Sequence, residues 1–294
     1  PLSPTFPYHL RKHLRWADVV HYHLPFPVST VSHLVNSFDD TPVVVTFHDD
    51  IVEKGPIVYP YRPVLTRFLN RSDSIIVTSP NMRDHCQQIA KFREKVEVIP
   101  IGIKLEDADA TPRELDGRHV LFVGRLVPFK GIRYLISAMK FTDAELTIVG
   151  DGPQRDELER LASDENVEQT VTFEGHVSDE RLSELYETAN AFVLPSVSNS
   201  ESFGIVQLEA LKHGLPVINT SLDTGVPFVS VDGETGYTVS PEKEREIADA
   251  IERLFDDAGR YRRFSKNAHE RVRRKFDRSD MIRRTFEIYQ RVAN

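Results

Sequence analysis

The feature that most constrains this chain is the regular beat of its second half. Apolar runs at 119–124, 145–150, 170–174, 190–195 and 215–219 alternate with helix-like stretches near 131–140, 153–163, 179–188 and 204–213. Strands alternating with helices of that length predict a doubly wound α/β unit with a parallel sheet, since parallel neighbours need a crossover between them. Such sheets bind ligands beyond the carboxyl ends of their strands.

Two of the loops at those ends carry unusual chemistry. Ala191-Phe-Val-Leu-Pro195 delivers the chain to Glu201-Ser-Phe-Gly-Ile-Val-Gln-Leu-Glu209, in which two glutamates flank a loop-to-helix turn. Gly204 lets the backbone approach a ligand, and the free N–H groups of the new helix face an anion. Upstream, His119-Val-Leu-Phe-Val-Gly124 is followed by Arg125-Leu-Val-Pro-Phe-Lys130-Gly131 and an apolar-periodic helix. Arginine offers a planar fork to phosphate oxygens and lysine a mobile point charge, so the pair suits a diphosphate. The bland alternative is a surface turn with two solvated acids and two solvated cations. Taken together, the sites fit a nucleoside diphosphate-sugar, with phosphate on the cations and helix start and hydroxyls on the carboxylates.

With these segments, the chain resembles the retaining glycosyltransferases of family four (glycosyl transferases group 1), which have the two-domain GT-B fold. The matching text is Val123-Gly-Arg-Leu-Val-Pro-Phe-Lys-Gly131, Leu146-Thr-Ile-Val-Gly-Asp-Gly-Pro153, Val171-Thr-Phe-Glu-Gly175, Val193-Leu-Pro-Ser196, the glutamate box, and Gly214-Leu-Pro-Val-Ile218. Asn219-Thr-Ser-Leu-Asp-Thr-Gly-Val-Pro227 resembles a narrower branch containing mannosyl- and rhamnosyltransferases of polysaccharide assembly. The resemblance implies two Rossmann-like domains facing a cleft: 1–112 with 278–294 on the acceptor side, and 113–277 binding the nucleotide-sugar. It assigns Arg125 and Lys130 to the departing diphosphate and Glu201 to the sugar hydroxyls. Gly124 falls to the donor, the backbone of Phe203, Gly204, Ile205 and Val206 to its phosphates, Glu209 to the ribose, and His176 with Val177 to the base. Configuration is retained, the departing phosphate accepts the acceptor's proton, and neither a metal nor another cofactor is required.

The first half holds strands at 18–23, 42–48, 74–79 and 96–100, fewer than the roughly six of a complete nucleotide-type half. The chain starts at Pro1, and no opening strand with a glycine-rich loop precedes these four, so the expectation is an amino-terminally truncated domain. Alternation in Val19-Val-His-Tyr-His23 turns His21 and His23 to one face, and a second strand ends in His48-Asp-Asp50. By resemblance His48 contacts the transferring sugar, while His21, His23 and Asp50 lie on the acceptor side. The alternatives are a metal held by these imidazoles and carboxylates, and histidines satisfied by backbone carbonyls, the latter fitting His21 better than His48.

A candidate linker runs from Gly102 to Gly117. Asp107-Ala-Asp109 has metal-binding spacing but lies in that linker instead of at a strand end. Gly150-Asp-Gly152-Pro153 lacks the third glycine of a dinucleotide fingerprint and reads as a tight turn with Pro153 opening a helix. Two charged helices, 242–255 and 259–275, precede a last one at 278–293, which the resemblance sends back to the first domain.

Composition excludes several classes. A net charge of −8 argues against a general nucleic-acid binder. Cys86 is the single cysteine, so no internal disulfide forms, consistent with a reducing compartment. No apolar run reaches the roughly 20 residues that span a bilayer, which predicts a cytoplasmic protein or one peripheral on the inner face of the membrane. The segments His9–Trp16 and Tyr59–Arg71 mix cations with aromatics, as an anionic bilayer favours, or are solvated helices packed on the sheet. Three functions follow: hexosyl transfer, mannosyl from GDP-mannose foremost, to a glycan or lipid-linked acceptor; nucleotide-sugar binding without catalysis; or sugar-nucleotide epimerisation.

Overall fold

This computed structural model describes residues 4–36, 41–49, 60–105 and 111–294. The chain divides into two compact units, Pro1–Ile101 with Ser279–Asn294, and Gly102–Arg278.

In the first unit four parallel strands lie in sequence order: β1 Val20–Leu24, β2 Val43–Phe47, β3 Ser74–Val77 and β4 Val96–Val98. Period-two alternation in β1 buries Tyr22 and Leu24. β2 and β3 are buried on both faces, which is why they read as unbroken apolar runs. Helices α1 Phe6–Leu14, α2 Pro27–Val35, α3 Tyr61–Arg71 and α4 Pro80–His85 belong to this unit, and Leu65, Phe68 and Leu69 of α3 join the core around Tyr22, Val45 and Ile75. On the other side Val44, Ile76 and Ile99 pack against Ile288 of the last helix, α12, Arg278–Ala293. Burying a side chain of this size contributes about 1.5–3 kcal/mol.

The second unit is a six-stranded parallel sheet in the order β10-β9-β8-β5-β6-β7. Its strands are β5 His119–Val123, β6 Glu145–Val149, β7 Val171–Gly175, β8 Ala191–Leu194, β9 Val217–Thr220 and β10 Gly236–Val239. Between them run α5 Ile132–Met139, α6 Arg155–Asp164, α7 Asp179–Thr188, α8 Val206–Lys212 and α9 Val226–Val229, and α10 Glu244–Phe255 and α11 Ala258–Lys275 follow. Strand order reverses between β5 and β8, the point at which a doubly wound sheet opens a crevice. The loops 124–131 and 195–205 both start there.

Three local expectations change. Pro153 does not open a helix: it sits in a turn, and α6 starts at Arg155 after Gln154. β10 is an unanticipated strand, a four-residue edge too short to show a period. The start of the presumed linker is ordered against the second unit, where Ile103 pairs with Asp277 and its N–H donates to the Phe276 carbonyl at 2.9 Å. Farther along, the Arg113 N–H donates to Ser265 Oγ at 2.8 Å and its guanidinium to the Tyr186 carbonyl at 2.9 Å. Asp107 and Asp109 lie outside the described residues.

Candidate active site

β5 ends at Val123, and the next seven residues form a loop closed by one 3-10 turn, Pro128–Lys130. Gly131 then takes a left-handed conformation, φ +66°, and begins α5. A β-carbon there would stand 2.1 Å from the Pro195 carbonyl oxygen, so only glycine lets the two loops close up. The Val197 N–H reinforces the join by donating to the Phe129 carbonyl at 2.9 Å. Loop 124–131 and loop 195–201 are therefore one rigid piece.

That piece brings Lys130 to Glu201. Lys130 Nζ lies 2.5 Å from Glu201 Oε2, with the side chains only 12% and 10% exposed. The same oxygen accepts the Ser196 hydroxyl at 3.0 Å. Ser196 is fully buried at the end of β8, where its own carbonyl accepts the Thr220 hydroxyl at 2.5 Å. The expectation of a mobile lysine gives way to a fixed one: a charge this far from water needs its partner, and the partner is oriented by a buried serine. Sequence alone does not single out Ser196, because a serine just past a strand is common.

Arg125 is exposed on the same loop and makes no ion pair among the described residues. Gly124 lies beneath Lys130; a β-carbon on it would come within 3.6 Å of the lysine Cε. His176 is exposed and Val177 half-buried after β7. Phe203 turns its ring into the core, edge-on to Phe276, so its backbone is the part left for a ligand. Gly204, φ +71°, is buried, and its missing side chain makes room for Gln207 and Leu194, not for a ligand. Ile205 is about half exposed, and Val206 opens α8. Glu209 is half-buried one turn on; burial raises its carboxyl above the usual range, with Lys212 opposing. The two glutamates are therefore not a pair of solvated acids.

In the first unit, β1 and β2 bring three imidazoles together. His23 Nδ1 and His48 Nε2 are 2.8 Å apart, and the rings of His21 and His23 stack at 4.6 Å. One proton lies between His23 and His48, so one of the two facing nitrogens donates and the other accepts. His21 is satisfied by side chains instead of the backbone carbonyls considered for it: Tyr289 Oη at 2.6 Å on Nδ1 and Thr46 Oγ1 at 2.7 Å on Nε2. Burial, then the neighbouring His23 and His48, lower its pKa to about 4. Burial and His23 also lower His48, so both rings stay neutral near pH 7. Tyr289, brought in by α12 from 268 residues away, gave no local signal. Asp50 lies outside the described residues. Among the described residues no group of three or more His, Cys, Asp or Glu is arranged to hold a metal ion.

Of the cation-and-aromatic segments, α1 and the two residues after it present Tyr8 and Trp16, 73% and 71% exposed, along with Arg11, Lys12 and Arg15. Helix α3 instead turns Leu65 and Phe68 inward, and Tyr61 bonds Thr30 at 2.8 Å; Tyr59 lies outside the described residues. No helix among the described residues is long and apolar enough to cross a membrane.

Comparison with known proteins identifies the family and the fold. The profile of glycosyl transferases group 1 matches residues 104–271, and that of glycosyltransferase family 4 matches residues 1–107. The chain is 34% identical over 271 residues to the D-rhamnosyltransferase WbpZ of Pseudomonas aeruginosa, covering 88% of this chain and 70% of that protein. It is 31% identical over 279 residues to the O-antigen chain mannosyltransferase C of Escherichia coli, covering 92% and 75%. Sucrose-phosphate synthase from Thermosynechococcus elongatus superposes with a TM-score of 0.81 at 27% identity, over 98% of this chain and 77% of that one. With its two parallel sheets the protein has the α/β GT-B architecture expected from its sequence, and it belongs to the glycosyl transferases of group 1, within glycosyltransferase family 4.

Proposed function

We propose that this glycosyltransferase moves a hexosyl group, mannosyl from GDP-mannose, onto a glycan or lipid-linked acceptor with retention of configuration and without a metal. The observation that carries the reading is the desolvated Lys130–Glu201 pair, with the exposed Arg125 on the same loop as the lysine, at the strand-order reversal of the second unit. Breaking the bond from the anomeric carbon to phosphate puts positive character on the sugar and negative charge on the diphosphate. Arg125 and Lys130 are the cations available to that charge. Glu201, held by Lys130 and Ser196 through Oε2, offers Oε1 to a sugar hydroxyl. The backbone from Phe203 to Val206 serves phosphate and Glu209 the ribose. On the acceptor side we place His21, His23 and Asp50, with His48 at the transferring sugar. The mannosyl assignment is supported by identity to the two O-antigen and rhamnosyl enzymes named above.

The test is incubation with GDP-mannose or UDP-glucose and a glycan acceptor, with a chelator present, and determination of the new anomeric linkage. An α-linked product from GDP-mannose under chelation is the expected result. Donor binding without turnover would favour the nucleotide-sugar-binding reading, and conversion of donor without acceptor would favour an epimerase. Loss of transfer under chelation would overturn metal independence.

The exposed Tyr8 and Trp16 among three cations on α1 and just beyond it support peripheral attachment to an anionic membrane. Co-sedimentation with vesicles containing anionic lipid, abolished by Trp16→Ser with Arg15→Ser, is the expected result. Binding indifferent to lipid charge would remove the attachment.

A further inference from the structure

Asn219 stands in β9, 1% exposed, where a sheet interior ordinarily takes an apolar side chain. Its two amide hydrogens are shared among three acceptors, Gln207 Oε1 at 2.9 Å, the Val226 carbonyl at 3.0 Å and the Ser230 carbonyl at 3.1 Å. Its oxygen accepts the Thr238 hydroxyl at 2.8 Å. Since two of those acceptors are backbone carbonyls, the amide has only one orientation. Gln207, also fully buried, lies in the space left by Gly204 and donates to the carbonyls of Phe203 at 3.4 Å and Val226 at 3.3 Å. At the start of α9 the Gly225 N–H donates to the Ser202 carbonyl at 2.7 Å.

These bonds tie β9, β10, α9 and the first turn of α8 to the backbone of Ser202 and Phe203, inside the box that runs from Glu201 to Glu209. A buried polar network with every member satisfied holds one arrangement rigidly, and deleting a member leaves its partners unpaired. We infer that Asn219 is a positioning residue for the donor site. Fully buried, it is out of a ligand's reach, but through Gln207 and α9 it sets where the box stands against the Lys130 loop. The inference rests on the donor reading above and adds to it a residue from the Asn219–Pro227 segment with a stated physical task.

The test measures GDP and UDP binding by calorimetry at a temperature where circular dichroism shows every variant folded. Asn219→Ala, Gln207→Ala and their double variant form a cycle. Thr238→Ala is a milder perturbation of the same amide, and Leu158→Ala, a fully buried site in α6, is a destabilised control. The expected result is about tenfold weaker binding in each single variant of the pair, the order for one buried hydrogen-bonding group. The double variant should be little worse than either single one, Thr238→Ala a few-fold weaker, and Leu158→Ala unchanged. Wild-type binding retained in the Asn219 and Thr238 variants, or lost equally in Leu158→Ala, would overturn the positioning role alone. A wild-type protein that binds neither nucleotide would overturn the donor reading and this inference with it.

Discussion

Lys130 Nζ and Glu201 Oε2 stand 2.5 Å apart on two loops that leave neighbouring strands, each side chain about nine-tenths removed from solvent. An ion pair so placed is a weak source of net stability, because desolvation offsets the attraction, yet removing one partner strands the other charge. In the donor reading proposed above, a diphosphate arriving at this corner would meet a lysine already fixed in place, at little cost in reorganisation.

Lys130→Ala should therefore destabilise the protein by about 3 kcal/mol, and Glu201→Ala by a similar amount. Lys130→Ala/Glu201→Ala should cost less than the sum. Thermal unfolding of the three variants measures this, and additive losses would show the pair is not coupled.

Ser196→Ala removes one of the two groups that orient Glu201 Oε2. The expected effect is about a tenfold fall in kcat, from one buried hydrogen bond, with GDP affinity little changed because the serine is fully buried and gives its hydroxyl to Glu201. Steady-state kinetics with calorimetry separates the two, and a loss confined to GDP affinity would contradict it.

Gly131→Ala confronts the Pro195 carbonyl oxygen in a left-handed conformation, whereas Gly233, φ +70°, has nothing within 4 Å of a β-carbon. Gly233→Ala should cost about 1 kcal/mol, the backbone term alone. Gly131→Ala should cost several-fold more and open the joint between the two site loops. Equal shifts in unfolding midpoint would mean the loops are not locked together there.

Acid should weaken the first unit. His21 titrates near pH 4 in the folded protein against an ordinary value of 6.5. Between those limits the unfolded chain binds a proton that the folded one does not, so stability is full above about pH 6.5 and falls as pH drops towards 4. His48 and His33 are lowered too and act in the same direction. His21→Gln should flatten the pH dependence of the unfolding midpoint, and an unchanged slope would assign the effect elsewhere.

Much of the fold was legible because the strands of a buried parallel sheet are continuous apolar runs bounded by turns; β5, β6 and β8 fall within a residue of where the pattern puts them. Lys130 and Glu201 were legible as chemistry, but not as each other's partner, since 71 residues separate them and only the closure at Gly131 brings them together. The Asn219 amide, Tyr289 and β10 gave no periodic signal. Their roles depend on long-range contacts, and single-sequence patterns report only local ones.

The most direct test of the account is calorimetric titration of GDP and UDP, with a chelator present, into the wild-type chain and Arg125→Ala. Arg125 is exposed, so the variant should fold normally. Binding should be metal-free and guanine-selective and should weaken at least tenfold in the variant, the scale for one charge-assisted phosphate contact. Equal binding by wild type and variant, or binding only when a divalent ion is added, would contradict it.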